Sequence, residues 1–161
     1  MKQKSQCTAA EEAIEMYSEM VYRLAYARVR NTSDADDIFQ EVFLRYIRKN
    51  PNFENEEHRK AWLIKVTVNC SKKHFSSSWF KKTESLDEKI VFEEPDEISL
   101  DEMLCKLGEK YRIVLHLFYY EGYSTDEIAR ILGEKPSTVR SQLTRARNKL
   151  KGELQNNEFD I

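Results

Sequence analysis

The residues best suited to chemistry lie in a basic stretch near the C-terminal end of the chain. From Lys135 to Lys151 there are six basic residues and no acidic one, and small hydroxyl residues are interleaved with them. Arginine, lysine, serine and threonine are the side chains that most often contact phosphates and base edges. The stretch therefore predicts a nucleic-acid contact made by Ser137, Thr138, Arg140, Ser141, Thr144, Arg145, Arg147 and Lys149.

The residues around this stretch predict a helix-turn-helix that would position it. Ser124 and Glu127 have the spacing of a capping box, which opens a short helix, and Gly133 suits the turn that follows. Pro136 suits the first position of the last helix. That helix would turn its arginines outward and bury an apolar stripe formed by Val139, Leu143, Ala146 and Leu150. The alternative is a basic helix that is merely solvated.

Charge and periodicity divide the rest of the chain. The net charge is only −2, but Lys72–Lys82 holds four lysines and no acidic residue, whereas Glu84–Glu102 holds nine acidic residues and one lysine. The acidic stretch has no apolar period, so it predicts a flexible linker at 81–98 between two small helical domains, at 9–80 and 99–154. No strand pattern is present. The fold class is therefore predicted to be all-α.

The N-terminal domain is predicted to contain three helices, at 9–30, 33–49 and 58–75. Ser33 and Asp36 resemble a capping box for the second of these. Its apolar stripe is predicted to be Ala35, Ile38, Phe39, Val42, Phe43, Tyr46 and Ile47. The opposite face carries Asp36, Asp37, Gln40 and Glu41, which suit a basic partner helix. A solvated helix face is the alternative.

Several function classes lack sequence support. No Gly-rich phosphate loop, GxSxG or HExxH motif is present, and three histidines are scattered, so no enzyme, catalytic residue or cofactor is predicted. The three cysteines are far apart; Cys70 and His74 have a spacing that could hold a metal, but without a second pair no metal is predicted. No long apolar segment occurs, which predicts a soluble, cytoplasmic protein.

Four segments resemble the sigma-70 family of RNA polymerase sigma factors. Tyr123–Gly133 (YSTDEIARILG) and Ser137–Arg147 (STVRSQLTRAR) resemble region 4. Asp34–Leu44 (DADDIFQEVFL) resembles the part of region 2 that docks on core polymerase, and Trp62-Leu63 with Asn69 resembles the minus-10 helix. The motifs follow the family order without a region 3, as in the extracytoplasmic-function (ECF) group.

The resemblance implies a role for each set of residues. It implies a promoter-recognition factor whose Asp36, Asp37, Gln40 and Glu41 bind the β′ coiled coil of core RNA polymerase, with further contact to the β subunit. It implies minus-35 recognition by the last helix and an anti-sigma protein as a further partner. Minus-10 contacts would come from Lys65, Asn69, Lys72 and Lys73.

Two points stay open at this stage. Lys73 and Ser76 stand where the family commonly has Asp and Arg, and Asn69 has either a buried hydrogen-bonding role or a base contact. The rival function is an ordinary helix-turn-helix regulator whose N-terminal domain senses a ligand or dimerises. That rival explains the C-terminal domain equally well but leaves the Asp34–Leu44 helix and the Trp62 and Asn69 pattern unexplained.

Overall fold

The chain forms two compact helical units, Met1–His74 and Phe75–Ile161. The structure, a computed structural model, describes residues 2–77 and 100–158, and the part it describes contains no strand. The all-α prediction is confirmed. The predicted linker at 81–98 lies outside the described residues, so the predicted domain limits stay a prediction.

The first unit is built from three helices, which begin and end near the predicted residues. Helix α1 is longer than predicted at its N-terminal end, and α3 extends two residues further at both ends. The bounds are α1 Lys2–Val29, α2 Thr32–Lys49 and α3 Glu56–Ser77.

The N-terminal cap of α2 differs from the predicted one. Asn31 has an extended backbone and its side-chain oxygen accepts a hydrogen bond from the backbone N–H of Asp34 at 3.1 Å. Ser33 lies inside the helix, so its predicted capping box with Asp36 is wrong. An asparagine can cap as well as a serine, and here it stands one residue before the helix begins. At the other end Asn50 adopts the left-handed conformation with φ 42° and ends α2 before Pro51.

The core of the first unit is formed by one face from each helix. Small residues of α1, including Ala13 and Ala25, are fully buried in the same cluster as Ile38 and Val42 of α2. Leu63 of α3 is fully buried in this cluster as well. The predicted placement of Ile47 in the buried stripe is wrong, because its side chain is 52% exposed. Helical spacing places Ile47 to one side of the stripe, beyond the edge that Phe43 and Tyr46 occupy.

A hydrogen-bonded network joins the start of α3 to α1. The Tyr17 hydroxyl donates to a Glu56 carboxylate oxygen at 2.7 Å, and the Arg59 guanidinium donates to the same carboxylate at 2.6 to 3.0 Å. Arg59 is buried and also lies over the Tyr17 ring at 5.5 Å. Further along α3, Arg28 Nε donates to the buried Ser71 hydroxyl at 2.9 Å. These contacts fix the rotation of α3 and hence the face it exposes.

The described part of the second unit is formed by four α-helices and one π-helical turn. Residues 109–120 do not form one continuous α-helix, since the last five form the π-helical turn, which ends before Gly122 at φ 76°. The bounds are α4 Leu100–Lys106, α5 Glu109–Leu115, the π-helical turn His116–Tyr120, α6 Thr125–Leu132 and α7 Pro136–Glu158.

The predicted helix-turn-helix is confirmed in its local details. The Ser124 side chain accepts from the Glu127 backbone N–H, and the Glu127 side chain accepts from that of Ser124, which completes the capping box. Gly133 ends α6 with φ 69°, a left-handed conformation that glycine adopts without strain. Pro136 begins α7 as predicted. The turn that joins the two helices is therefore short, running from the cap at Gly133 to the first residue of α7, Pro136.

We expect the Glu56 network to stabilise the first unit in a pH-dependent way. The hydrogen bonds from Tyr17 and Arg59 hold the pKa of Glu56 below its ordinary value of 4.5. A lowered folded-state pKa adds stability above the unfolded value, and that stability is lost as the pH falls through the folded value. Glu56→Gln should therefore lower the thermal unfolding midpoint at pH 7.

The pH profile separates this effect from a general loss of packing. The difference in midpoint between the wild type and Glu56→Gln should shrink as the pH falls below 4.5. Glu57→Gln is the matched control, because Glu57 is the exposed neighbour on the same helix turn. A difference that stays constant from pH 7 to pH 3.5 would contradict the proposed ion pair.

Candidate nucleic-acid interface and partner surface

The orientation of α7 follows from its buried face. Val139, Leu143 and Ala146 are at most 3% exposed and pack where α7 meets α5 and α6. Leu150 is half-buried on the same side. The inward stripe predicted from the sequence is confirmed for these residues, so the basic side chains of α7 lie on its outer and lateral faces.

The outer face of α7 is formed by hydroxyl groups and one arginine. Ser137, Ser141 and Arg145 are exposed on the side away from the buried stripe, and Thr144 is exposed beside them. The Thr144 hydroxyl donates to the Arg140 carbonyl at 3.0 Å, which leaves its oxygen able to accept. Asn148 shares this face and was not among the predicted contacts. This surface has the donors and acceptors that base-edge recognition requires.

Arg140 lies toward α6. Its guanidinium is 3.9 Å from the Asp126 carboxylate, and both side chains are largely exposed. An exposed pair at this distance is weak, so the guanidinium remains available to another acceptor. Before any DNA is bound, the charge of Arg140 is therefore partly neutralised by Asp126. Arg145 forms no ion pair among those described.

Two predicted contact residues are held by aromatic rings of their own unit. Arg147 Nε donates to the Tyr119 hydroxyl at 2.6 Å, and its guanidinium lies 5.3 Å from the Phe118 ring centre. The Lys149 ammonium lies 4.5 Å above the Tyr111 ring. Both side chains are exposed. They flank the outer face instead of forming it.

A groove continues the outer face of α7 onto α5. Its volume is about 350 Å³. One wall is formed by Lys110 and Tyr111, which are not among the contact residues predicted from the sequence. The other wall comes from α7 and is formed by Ser137, Thr138, Ser141, Gln142 and Arg145. No spacing in the sequence indicates this groove, because it depends on which helix packs beside α7.

The predicted minus-10 residues share one face of α3. Lys65, Asn69, Lys72 and Lys73 are all exposed, and three-to-four spacing places them on the same side. The alternative of a buried hydrogen-bonding role for Asn69 is wrong, since its side chain is exposed. Trp62 lies at the start of this face and packs on Tyr46 and Phe53 at 5.7 and 5.8 Å between ring centres.

The predicted partner-binding residues of α2 also share a surface. Asp36, Asp37 and Gln40 are exposed opposite the buried stripe. Glu41 is partly exposed and pairs with Arg45 at 3.1 Å. The same side of α2 continues with Leu44 and Ile47, which are 44% and 52% exposed. The surface is thus acidic at its start and apolar at its end.

The cysteine and the histidines considered as metal ligands or catalytic groups pack against other side chains wherever the structure describes them. Cys70 is buried, and burial raises the pKa of its thiol. The rings of His58 and His116 pack on Phe53 and Tyr120 at 5.3 and 5.0 Å. The His74 side chain lies outside the described residues.

Among the residues whose side chains are described, no three His, Cys, Asp or Glu are grouped as metal ligands. No described helix is long and apolar enough to cross a membrane.

Comparison with known proteins gives the same two segments. The family model "Sigma-70 region 2" matches residues 13–81, and "Sigma-70, region 4" matches residues 97–150. RNA polymerase sigma factor SigV of Bacillus subtilis is 30% identical over 135 residues, covering 78% of each chain. ECF RNA polymerase sigma factor SigE of Mycolicibacterium smegmatis is 30% identical over 157 residues, which is 89% of this chain but 61% of the relative.

A solved structure has a similar fold. The sigma factor RpoE of Bartonella quintana, in complex with the anti-sigma factor NepR, superimposes with a TM-score of 0.68 at 24% identity, covering 90% of this chain and 96% of that one. The two region matches and the relatives SigV and SigE place the protein in the sigma-70 family of RNA polymerase sigma factors, in its ECF group.

Proposed function

We propose that this chain binds core RNA polymerase and directs it to promoters by contacting the minus-10 and minus-35 elements. The observation that carries the proposal is that region 2 and region 4 occur in family order and that nearly all the contact residues they imply are exposed. The chain itself does no chemistry in this role, because polymerisation belongs to the core enzyme. The role would be exercised in the cytoplasm, where the polymerase and the promoters are.

The α2 surface has features of a protein-binding site that a merely solvated helix face would not need. Leu44 and Ile47 expose apolar side chains beside Asp37 and Gln40, and exposed apolar groups next to polar ones are typical of binding sites. A basic helix with an apolar edge would complement both parts of this surface. The proposed partner is the coiled coil of the β′ subunit, with the β subunit contacting the chain elsewhere.

The α3 and α7 surfaces support contacts with DNA. The exposed lysines at 65, 72 and 73 supply charge for phosphates, and Asn69 among them supplies the donor and acceptor of an amide for an exposed base. On α7 the hydroxyl groups and Arg145 fit a helix lying in the major groove. The charge of Lys73, where the family commonly has Asp, adds to the first of these surfaces.

Transcription from a genomic fragment library tests the proposal directly. Purified core polymerase with the added chain should yield run-off transcripts from a defined subset of fragments, and core polymerase alone should not. No added transcripts, together with binding of the chain to specific fragments as a dimer, would favour the rival helix-turn-helix regulator. Co-purification with core polymerase separates the same two functions.

An anti-sigma protein is the expected regulator. The Bartonella quintana relative is bound to an anti-sigma factor, and the similar CnrH is in complex with the cytosolic domain of CnrY. By analogy, a protein of this class would cover one or more of the surfaces proposed for polymerase and promoter DNA.

Charge reversal on α2 should weaken binding to core polymerase. The double variant Asp37→Lys with Glu41→Lys would place two positive charges against the proposed basic partner helix. Like charges placed next to each other in an interface cost several kcal/mol. We expect the affinity for core polymerase to fall by at least about tenfold, which corresponds to about 1.4 kcal/mol. Competition for core polymerase against a labelled sigma factor measures the change.

The matched control is Glu11→Lys with Glu15→Lys. These residues have the same spacing and are exposed on α1. The control should bind core polymerase like the wild type. Equal affinity of the α2 variant and the wild type, with both folded by circular dichroism, would remove α2 from the interface.

Arg145→Ala should relax the base preference of the polymerase at the minus-35 element. A bidentate arginine–guanine contact contributes about 1 to 3 kcal/mol of discrimination. The effect of Arg140→Ala should be smaller, because Asp126 already neutralises part of its charge. Selection from a library randomised at minus-35 measures both effects.

Arg130→Ala serves as the control for this selection, since Arg130 is exposed on α6 and lines no part of the α7 surface. It should select the wild-type motif. If Arg145→Ala and Arg140→Ala also selected that motif with undiminished stringency, these side chains would not be the readers of the element.

A further inference from the structure

We propose that the groove between α5 and α7 binds the sugar-phosphate backbone of one DNA strand beside the minus-35 element, through Lys110 and Tyr111. This inference rests on the proposed function, and it adds a contact outside the helix-turn-helix. Neither residue belongs to the contacts predicted from the sequence or implied by the family motifs. The groove measures about 350 Å³ and opens beside the outer face of α7.

The chemistry of the lining suits an anion. Lys110 and Arg145 contribute positive charges on opposite walls, and the Tyr111 hydroxyl is a further donor. Ser141 and Gln142 add a hydroxyl and an amide from α7. Among the residues that line the groove, none is acidic. Phosphate oxygens are bound by such sets of donors and cations in protein–DNA interfaces.

The groove is placed where a strand should pass. A helix lying in the major groove has a phosphate backbone along each flank. Ser141 and Arg145 belong both to the outer face of α7 and to the wall of the groove, so the two surfaces are continuous. A strand that borders the bases contacted by Arg145 would therefore meet Lys110 across the groove.

The two flanks of α7 differ in charge. On the α5 side the Lys149 ammonium lies 4.5 Å above the Tyr111 ring, which places a second lysine beside the groove. On the α6 side the Asp126 carboxylate lies 3.9 Å from Arg140. The Asp126 carboxylate repels a phosphate on the α6 side. This asymmetry favours the α5 flank for the closer backbone contact.

Neutral phosphate analogues in the promoter test the contact. Holoenzyme formed with the full-length chain would bind minus-35 promoter fragments in which single phosphates are replaced by methylphosphonate. For the wild type, one replacement on the strand flanking the element should weaken binding several-fold because it removes the charge that Lys110 meets. For Lys110→Ala, that same replacement should weaken binding by a smaller factor, because only Arg145 and the uncharged donors of the groove remain.

The salt dependence gives a second readout. Loss of one phosphate contact should reduce the slope of log K against log salt concentration by about one. Lys110→Arg should keep the slope, and Tyr111→Phe should lower affinity by less than Lys110→Ala because the ring and its neighbouring lysine remain. Base preference in the randomised minus-35 library should be unchanged in all of these variants. Lys106→Ala, an exposed lysine of α4 outside the groove, should behave like the wild type.

The outcomes separate this inference from the proposed function. Two results together would show that the groove does not hold the backbone. Lys110→Ala would keep the wild-type salt slope, and the same methylphosphonate would weaken its binding by as large a factor as it weakens binding of the wild type. Relaxed base preference in Arg145→Ala alongside those results would overturn the groove alone. Failure of the wild-type holoenzyme to bind any minus-35 fragment would overturn both proposals.

Discussion

The burial of one stripe of α7 is the constraint on which the proposed minus-35 surface depends. Val139, Leu143 and Ala146 are removed from water where α7 meets α5 and α6. Burying each large apolar side chain contributes about 1.5 to 3 kcal/mol. Rotating α7 by one residue would expose this stripe and bury Arg140 and Thr144 in its place, at the high cost of burying a charge without a partner. The helix therefore has one stable rotation, and the outward side chains follow from it.

The first unit follows the same logic with additional polar contacts. Burial of Ile38 and Val42 turns Asp37 and Gln40 of α2 outward. In α3, apolar burial is supplemented by the network at Glu56 and by the hydrogen bond between Arg28 and Ser71. Polar contacts of this kind are specific in geometry, so they select one rotation where the apolar stripe alone would allow a range. Apolar burial and these polar contacts together determine which side of α3 forms the proposed minus-10 face.

The sequence predicted features that depend on residues close together in the chain. The capping box at Ser124, the turn at Gly133 and the inward stripe of α7 are local, and the structure confirms each of them. Features that depend on distant partners could not be predicted. The spacing and charge of Arg147 predict a DNA contact, but they do not reveal its ring partners Phe118 and Tyr119, which lie almost 30 residues earlier in the sequence. The predictions of a cap at Ser33 and of a buried Ile47 are wrong because Asn31, two residues earlier, provides the cap and because Ile47 lies beyond the edge of the buried stripe.

The three arginines of α7 therefore need not have the same role in binding DNA, because their surroundings differ. Arg147 is held by a hydroxyl and two rings, so moving it to a phosphate would cost those contacts. Arg140 shares its charge with Asp126, and a bound phosphate nearby would compete with that carboxylate. Arg145 lies beside hydroxyl groups and across a groove from Lys110. Because a reader of bases must be positioned without being neutralised, Arg145 is the arginine whose surroundings suit discrimination, while the charges around it supply affinity that is independent of sequence.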